Sequence, residues 1–274
     1  MNRRSSRPKG VFFSIGEFAR FIRAETCLAV SAMAACGYLL FNPANIGLLF
    51  LMMAVFLSTA GAYAYNHMTD MEEDRINERR LNRFVTSGSG MRVVAAMLAA
   101  GAVSAFFLPL HSFFLFLLGV PVIMAYSAFR VKRVFLLKNL YTGLTMGYAF
   151  MIGISVSGAI TSDILYILSA VFLVGFTGNM IGDIRGYEGD LASGAKTLPV
   201  MIGVDPSIRF THFIFLGLST HILLSGYYLL YPIVPFVFLV SLFLAAGRQR
   251  PARYSAILSF VALSASFIVS GGAV

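Results

Sequence analysis

The sequence predicts an all-α membrane protein. We expect a polytopic helical bundle of about nine transmembrane helices around a central cavity, with a cytoplasmic N-terminus. Three observations carry that expectation. Hydrophobic residues make up 58% of the 274-residue chain and charged residues 12%, about half the charge of an ordinary soluble domain. Mean hydropathy is +0.80, and apolar runs of bilayer length recur from end to end. The charges fall between those runs, and the basic ones keep to one side.

In chain order, residues 1–16 form a basic arm with Arg3, Arg4, Arg7 and Lys9, running into an amphipathic stretch with no cleavable leader visible. Residues 17–274 read as a single transmembrane domain. Apolar segments lie near 17–41, 45–68, 92–109, 111–129, 139–159, 164–182, 210–230, 232–247 and 254–272. Pro43, Pro109, Pro121, Pro232 and Pro235 mark turns or kinks. The connections alternate between short (41–45, 109–111, 159–163, 231–232) and long and charged (69–91, 130–138, 183–209, 248–253). All 21 Lys and Arg fall in the arm, the long connections or the adjoining segment ends, and of the 12 acids only Asp163 falls on the short side. By the positive-inside rule the long connections and the N-terminus are cytoplasmic. The net charge of +9 is thus topological, and no nucleic-acid-binding motif accompanies it. Cys27 and Cys36, in one apolar segment, read as small buried hydrophobes.

The chemistry concentrates at two segment ends. Asn66, Asp70, Asp74 and Asn77 step by four, four and three, a stripe on one helical face running out of the bilayer. Asn179, Asp183, Gly186 and Asp190 repeat the pattern, with Glu188 beside them. The charge count puts both clusters on one membrane face. Carboxylates at the mouth of a membrane bundle are costly and are usually kept for function. Two facing sets suit Mg²⁺, a hard ion held by one or two carboxylates plus phosphate oxygens, and such ions make a diphosphate a leaving group.

Basic residues follow each cluster: Arg75, Arg79, Arg80 and Arg83, then Lys132, Arg133 and Lys138, and finally Lys196. Most set topology; a subset offers phosphate ligands. The chain has 26 Phe, 12 Tyr and no Trp. Tyr63, Tyr65, Tyr126, Tyr141 and Tyr148 lie in segments that reach the inner face, where aromatic rings can stabilise a cation. His67 points away from the Asn66 stripe and reads as structural.

Taken together, these motifs resemble the UbiA superfamily of intramembrane prenyltransferases. The first signature stands as Asn66, Asp70, Asp74-Arg75-Ile76-Asn77 and Ser87-Gly88; Tyr126-Ser127, Lys132-Arg133 and Asn139 follow. The second stands as Gly182-Asp183-Ile184-Arg185-Gly186-Tyr187-Glu188-Gly189-Asp190 with Gly194-Ala195-Lys196-Thr197-Leu198-Pro199. Arg23 falls where the first helix usually carries a basic residue. Gly186 stands where the usual second motif has its first Asp, Met71 replaces a common Arg, and the 77–87 loop is longer.

The resemblance implies Mg²⁺-dependent transfer of a polyprenyl group from its diphosphate. Asp70, Asp74, Asp183 and Asp190 would hold the metal, with Asn66 near the reacting carbon. Arg23, Arg83, Tyr126, Lys132, Arg133, Asn179 and Lys196 would bind substrate. The Glu-Gly-Asp…Lys-Thr-Leu-Pro motif favours geranylgeranyl transfer to a glyceryl phosphate lipid; an aromatic or tetrapyrrole acceptor is the alternative. A non-enzymatic cation transporter fits less well, because the acids sit at a membrane edge and not at mid-depth.

Overall fold

The computed structural model describes residues 14–71, 75, 81–131, 134–156 and 162–270. The expected arm, Asp74, Asn77, Lys132 and Arg133 lie partly or wholly outside these residues. Every regular element among the described residues is helical. In order they are α1 (Ile15–Ile22), α2 (Ala24–Leu39), α3 (Ile46–Thr69), α4 (Arg83–Thr86), α5 (Gly90–Ala105), α6 (Leu110–Ala128) and α7 (Leu137–Ser155). There follow α8 (Ser162–Arg185), α9 (Tyr187–Ser193), α10 (Leu198–Ile202), α11 (Val204–Leu224), a 3₁₀ turn (Tyr228–Ile233), α12 (Val234–Ala245) and α13 (Gln249–Ser270).

Each predicted apolar segment carries helix. Among the described residues five helical stretches are long and apolar enough to cross a membrane: α3, α6, the body of α8, α11, and the 3₁₀ turn with α12. α2 and α5 are apolar but shorter. The outer faces of the long helices present large apolar side chains, including Leu118 of α6 at 67% and Phe213 of α11 at 65% exposure. A helical bundle tolerates this only where lipid replaces water. Inside, buried hydroxyls such as Ser58 and Thr177 donate back to their own helix, to Ala54 O at 2.8 Å and Leu173 O at 2.6 Å, which satisfies them away from water.

The structure departs from the sequence reading at two segments. The first, 17–41, is broken: Arg23 adopts φ 51 and ψ 56, and its N–H caps α1 through Ala19 O and Arg20 O. Ser14 caps the other end of α1, which lays Phe21 onto His67 and Phe84, with ring centroids 5.9 and 5.1 Å away. The segment at 210–230 starts earlier, at Val204, because Gly203 (φ 90) starts α11 there and Gly226 (φ 78) ends the run before the 3₁₀ turn.

The bundle closes around two groups of helices. α2, α3, α6 and α7 pack together, with α5 against α3; α8, α11, α12 and α13 complete the body against α7 and α2. The α2–α7 crossing depends on two glycines. A Cβ at Gly37 would sit 2.1 Å from Phe150 O, and one at Gly153 would sit 2.0 Å from Ala34 O. Small residues let membrane helices approach this closely where the driving force is van der Waals contact. Gly153→Ala is therefore expected to cost about 3 kcal/mol by overpacking against backbone. Gly217→Ala on α11, with open space around the new methyl, should be neutral or slightly stabilising. Thermal unfolding in detergent compares the two; equal melting temperatures would contradict the packing.

Candidate active site

The last turns of α3, α6 and α8 and the first turn of α7 meet at one end of the bundle. Three contacts tie them. Ser127 Oγ at the end of α6 donates to Asn66 Oδ1 on α3 at 2.9 Å. The Tyr126 and Tyr141 rings join α6 to α7 at 5.0 Å. Asn139 Nδ2 on α7 donates to Asp183 Oδ2 on α8 at 3.0 Å. Both acidic motifs therefore occupy the same end of the molecule.

The first motif is held by its own helix. Asn66 is buried, and its Nδ2 donates to Asp70 Oδ2 at 3.0 Å while Ser127 fixes the other side of the amide. This orientation follows from the four-residue spacing, which stacks the two side chains. Asp70 is the C-cap residue of α3, its N–H bonded to Asn66 O at 2.9 Å. The half-buried carboxylate thus stands at the mouth of the bundle.

The second motif divides. Asp183 is fully buried, with one oxygen taken by Asn139 and the other by Lys138 Nζ in an ion pair. Asp190 lies on α9, beyond the bend at Gly186. A Cβ at Gly186 would fall 3.7 Å from Asp190 Oδ2 and 3.3 Å from Gly182 O. A carboxylate there would crowd Asp190 with like charge, so glycine leaves the bend to Asp190 alone. On the flanking segments, the amide Nδ2 of Asn179 and the hydroxyl of Thr197 are buried with no hydrogen-bond partner among the described residues.

The other expected residues separate. Arg23 lies with its guanidinium 5.1 Å over the Tyr63 ring, one turn before Asn66. Arg83 is drawn to α1, its Nε 3.3 Å from Glu17 Oε1, and neighbouring Asn82 donates to Glu17 O at 3.0 Å. Lys196 is exposed and makes no ion pair among the described residues. The sequence reading missed the roles of Lys138, Asn139, Ser127 and Thr197. All four stand inside or beside quoted motifs, but their partners lie far away in sequence. Deeper in, Val30, Val55, Thr59, Phe116, Gly119 and Tyr148 line an apolar cavity of about 30 Å³ between α2, α3, α6 and α7. Thr59 is two helical turns below Asn66.

Among the described residues no three Asp, Glu, His or Cys side chains come close enough to cage a metal ion. The available donors are hard carboxylate oxygens. They suit Mg²⁺, which usually takes one or two carboxylates and completes its shell with water and phosphate. The two orphaned buried donors, at Asn179 and Thr197, are what an oxyanion beside such an ion would satisfy.

An all-helical bundle with membrane-length apolar helices and two acidic motifs at one end is the frame expected of an intramembrane prenyltransferase. The chain belongs to the UbiA prenyltransferase family, which it matches over residues 26–269. It is 29% identical over 202 residues to the digeranylgeranylglyceryl phosphate synthase of Methanoculleus marisnigri, covering 70% of each chain. It is 31% identical over 196 residues to that of Thermococcus kodakarensis, covering 68% of this chain and 70% of the relative. In fold it is similar to a UbiA homolog from Archaeoglobus fulgidus bound to DMAPP and Mg²⁺. The TM-score is 0.70 at 18% identity, over 92% of this chain and 99% of that one. A UbiA homolog from Aeropyrum pernix gives 0.72 at 21% identity, over 90% and 98%.

Proposed function

We propose that the chain transfers a geranylgeranyl group from its diphosphate to the free hydroxyl of a prenylated glyceryl phosphate. The observation that carries this reading is the meeting of Asn66–Asp70 and Asp183–Asp190 at one end of the bundle. The names of the relatives supply the acceptor. In this reading Asp70, Asp74 and Asp190 would hold Mg²⁺, which when bound would neutralise the diphosphate and make it a leaving group.

The chain's own groups do the rest. Asn179 Nδ2 and Thr197 Oγ1 donate to diphosphate oxygens; Lys132, Arg133 and Lys196 add charge from the loops. Asn66, held by Ser127, faces the reacting carbon. Tyr63, Tyr126 and Tyr141 offer π faces to the allylic cation formed as the C–O bond breaks. The acceptor oxygen then bonds to that carbon, and its proton passes to the departing diphosphate. The prenyl tail runs below Asn66, where the side chains around the small apolar cavity, Tyr148 among them, must part to admit it. Dry walls keep water from quenching the cation.

In this reading Asp183, with its oxygens engaged by Lys138 and Asn139, fixes α7 against α8 and leaves metal binding to Asp70, Asp74 and Asp190. In this reading the motif end faces the cytoplasm, and the Lys and Arg gathered in the long connections at that end support it.

The test is product mass. Protein purified in nanodiscs receives geranylgeranyl diphosphate, Mg²⁺ and one acceptor at a time. A product from geranylgeranylglyceryl phosphate heavier by one geranylgeranyl group is expected. A product only from an aromatic acceptor would overturn the acceptor assignment.

A further inference from the structure

A second cavity opens at the same end of the bundle, outside the acidic motifs. It measures about 390 Å³ and lies between the α1–α2 break and the first turn of α13. Arg20, Arg23 and Arg253 line it together with Glu25 and Thr26. None of the three arginines is within ion-pair distance of a carboxylate among the described residues, Glu25 included. Two of them flank the break in one helix, and the third comes from the far end of the chain. Three exposed guanidinium groups around an open cavity offer an anion planar forks that fit phosphate oxygens.

The backbone adds an independent observation. Arg23 holds φ 51 and ψ 56, a left-handed conformation that suits Gly or Asn and strains other residues. Strain of this kind persists where the side chain is needed in place. Here it directs the guanidinium over Tyr63, 5.1 Å from the ring centroid. Tyr63 precedes Asn66 by about one turn on the same face of α3, a rise of ~5 Å.

We infer that this arginine cavity binds the phosphate of a glycerol-phosphate lipid acceptor and so presents its hydroxyl to the Asn66–Asp70 site. The inference rests on the transfer reading above and names the part of the site that selects the acceptor. A glyceryl phosphate with one prenyl chain has one hydroxyl left, on the same three-carbon unit as the phosphate. Anchoring the phosphate one turn from Asn66 therefore fixes which oxygen reacts. A phosphate monoester carries about −1.5 to −2 charges near neutrality. Three arginines less one glutamate match that better than the single charge of a membrane phosphodiester.

The experiment uses the full chain in detergent with three probes: geranylgeranylglyceryl phosphate, its phosphate-free alcohol, and phosphatidylglycerol. Unfolding temperature reads binding; transfer kinetics with separate Michaelis constants for donor and acceptor read function. The unmodified chain should be stabilised by the phosphate lipid and not by the alcohol. Arg20→Ala/Arg253→Ala should lose that stabilisation and raise the acceptor KM by on the order of 10-fold for each arginine removed, with donor KM unchanged. Arg23→Gly relieves the backbone strain, so it should keep or raise the ligand-free unfolding temperature while also raising acceptor KM.

Unchanged acceptor KM, or equal losses toward the alcohol, would overturn the inference. Equal stabilisation by phosphatidylglycerol would make the cavity a site for bulk anionic lipid and overturn its acceptor role. If the unmodified chain shows the phosphate-specific shift, lost in the double variant, yet transfers to neither acceptor, the transfer reading fails while the phosphate site stands.

Discussion

Asp70→Ala should lower kcat/KM for prenyl transfer by about 10³-fold or more, about 4 kcal/mol of transition-state stabilisation. The carboxylate stands at the bundle mouth as a hard oxygen donor, oriented by Asn66 Nδ2 at 3.0 Å. Removing it takes away metal affinity and the charge balance that lets a diphosphate depart. The fold should lose little, since the side-chain bond to Asn66 is worth about 1 kcal/mol. Asp70→Asn separates the two effects: it keeps an acceptor for Asn66 but not the charge. It should fold like the unmodified chain and remain as inactive as the alanine variant. Activity in Asp70→Asn within tenfold of the unmodified chain would remove Asp70 from the metal site.

The second large effect concerns stability. Lys138→Met leaves the fully buried Asp183 carboxylate without its cation, and breaking a buried ion pair from one side costs about 3–5 kcal/mol. Asn139 still donates to the other oxygen but carries no charge. Lys138→Met/Asp183→Asn removes both charges and should recover most of the loss, because a neutral pair is often tolerated where a lone charge is not. Thermal unfolding of the three variants measures this cycle. A Lys138→Met variant as stable as the unmodified chain would show that the pair does not hold α7 to α8. The Mg²⁺ concentration needed for half-maximal activity separates the structural from the metal role. Asp183→Asn should leave it within about twofold; a shift of tenfold or more would return Asp183 to the metal site.

How much of this was legible in the sequence depends on the range of the interaction. The Asn66–Asp70 bond follows from four-residue spacing on a helix and needs no tertiary knowledge. The common end of the two motifs follows from the distribution of Lys and Arg, a rule about loops, and the helix contacts agree with it. The broken first helix was not legible. Residues 20–26 hold no Pro or Gly, and Arg23 gives no local sign that it will adopt a left-handed conformation. The pairings of Lys138 with Asp183 and of Arg83 with Glu17 cross 45 and 66 residues, and sequence offers only charges of opposite sign. Lys138 read as one more topological cation, and Asp183 read as a ligand because its motif supplied no other acid at that turn. The arginine cavity joins positions 20, 23 and 253, which only the closing of α13 onto α2 brings together.

The central claim is that the two acidic motifs together hold a metal-bound prenyl diphosphate and release it to an acceptor. Product formation from geranylgeranyl diphosphate and geranylgeranylglyceryl phosphate, followed by mass with and without excess EDTA, tests it most directly. The account predicts one diphosphate released for each prenyl group transferred, loss of both products with EDTA, and their return with added Mg²⁺. Transfer continuing at the full rate after EDTA would contradict it.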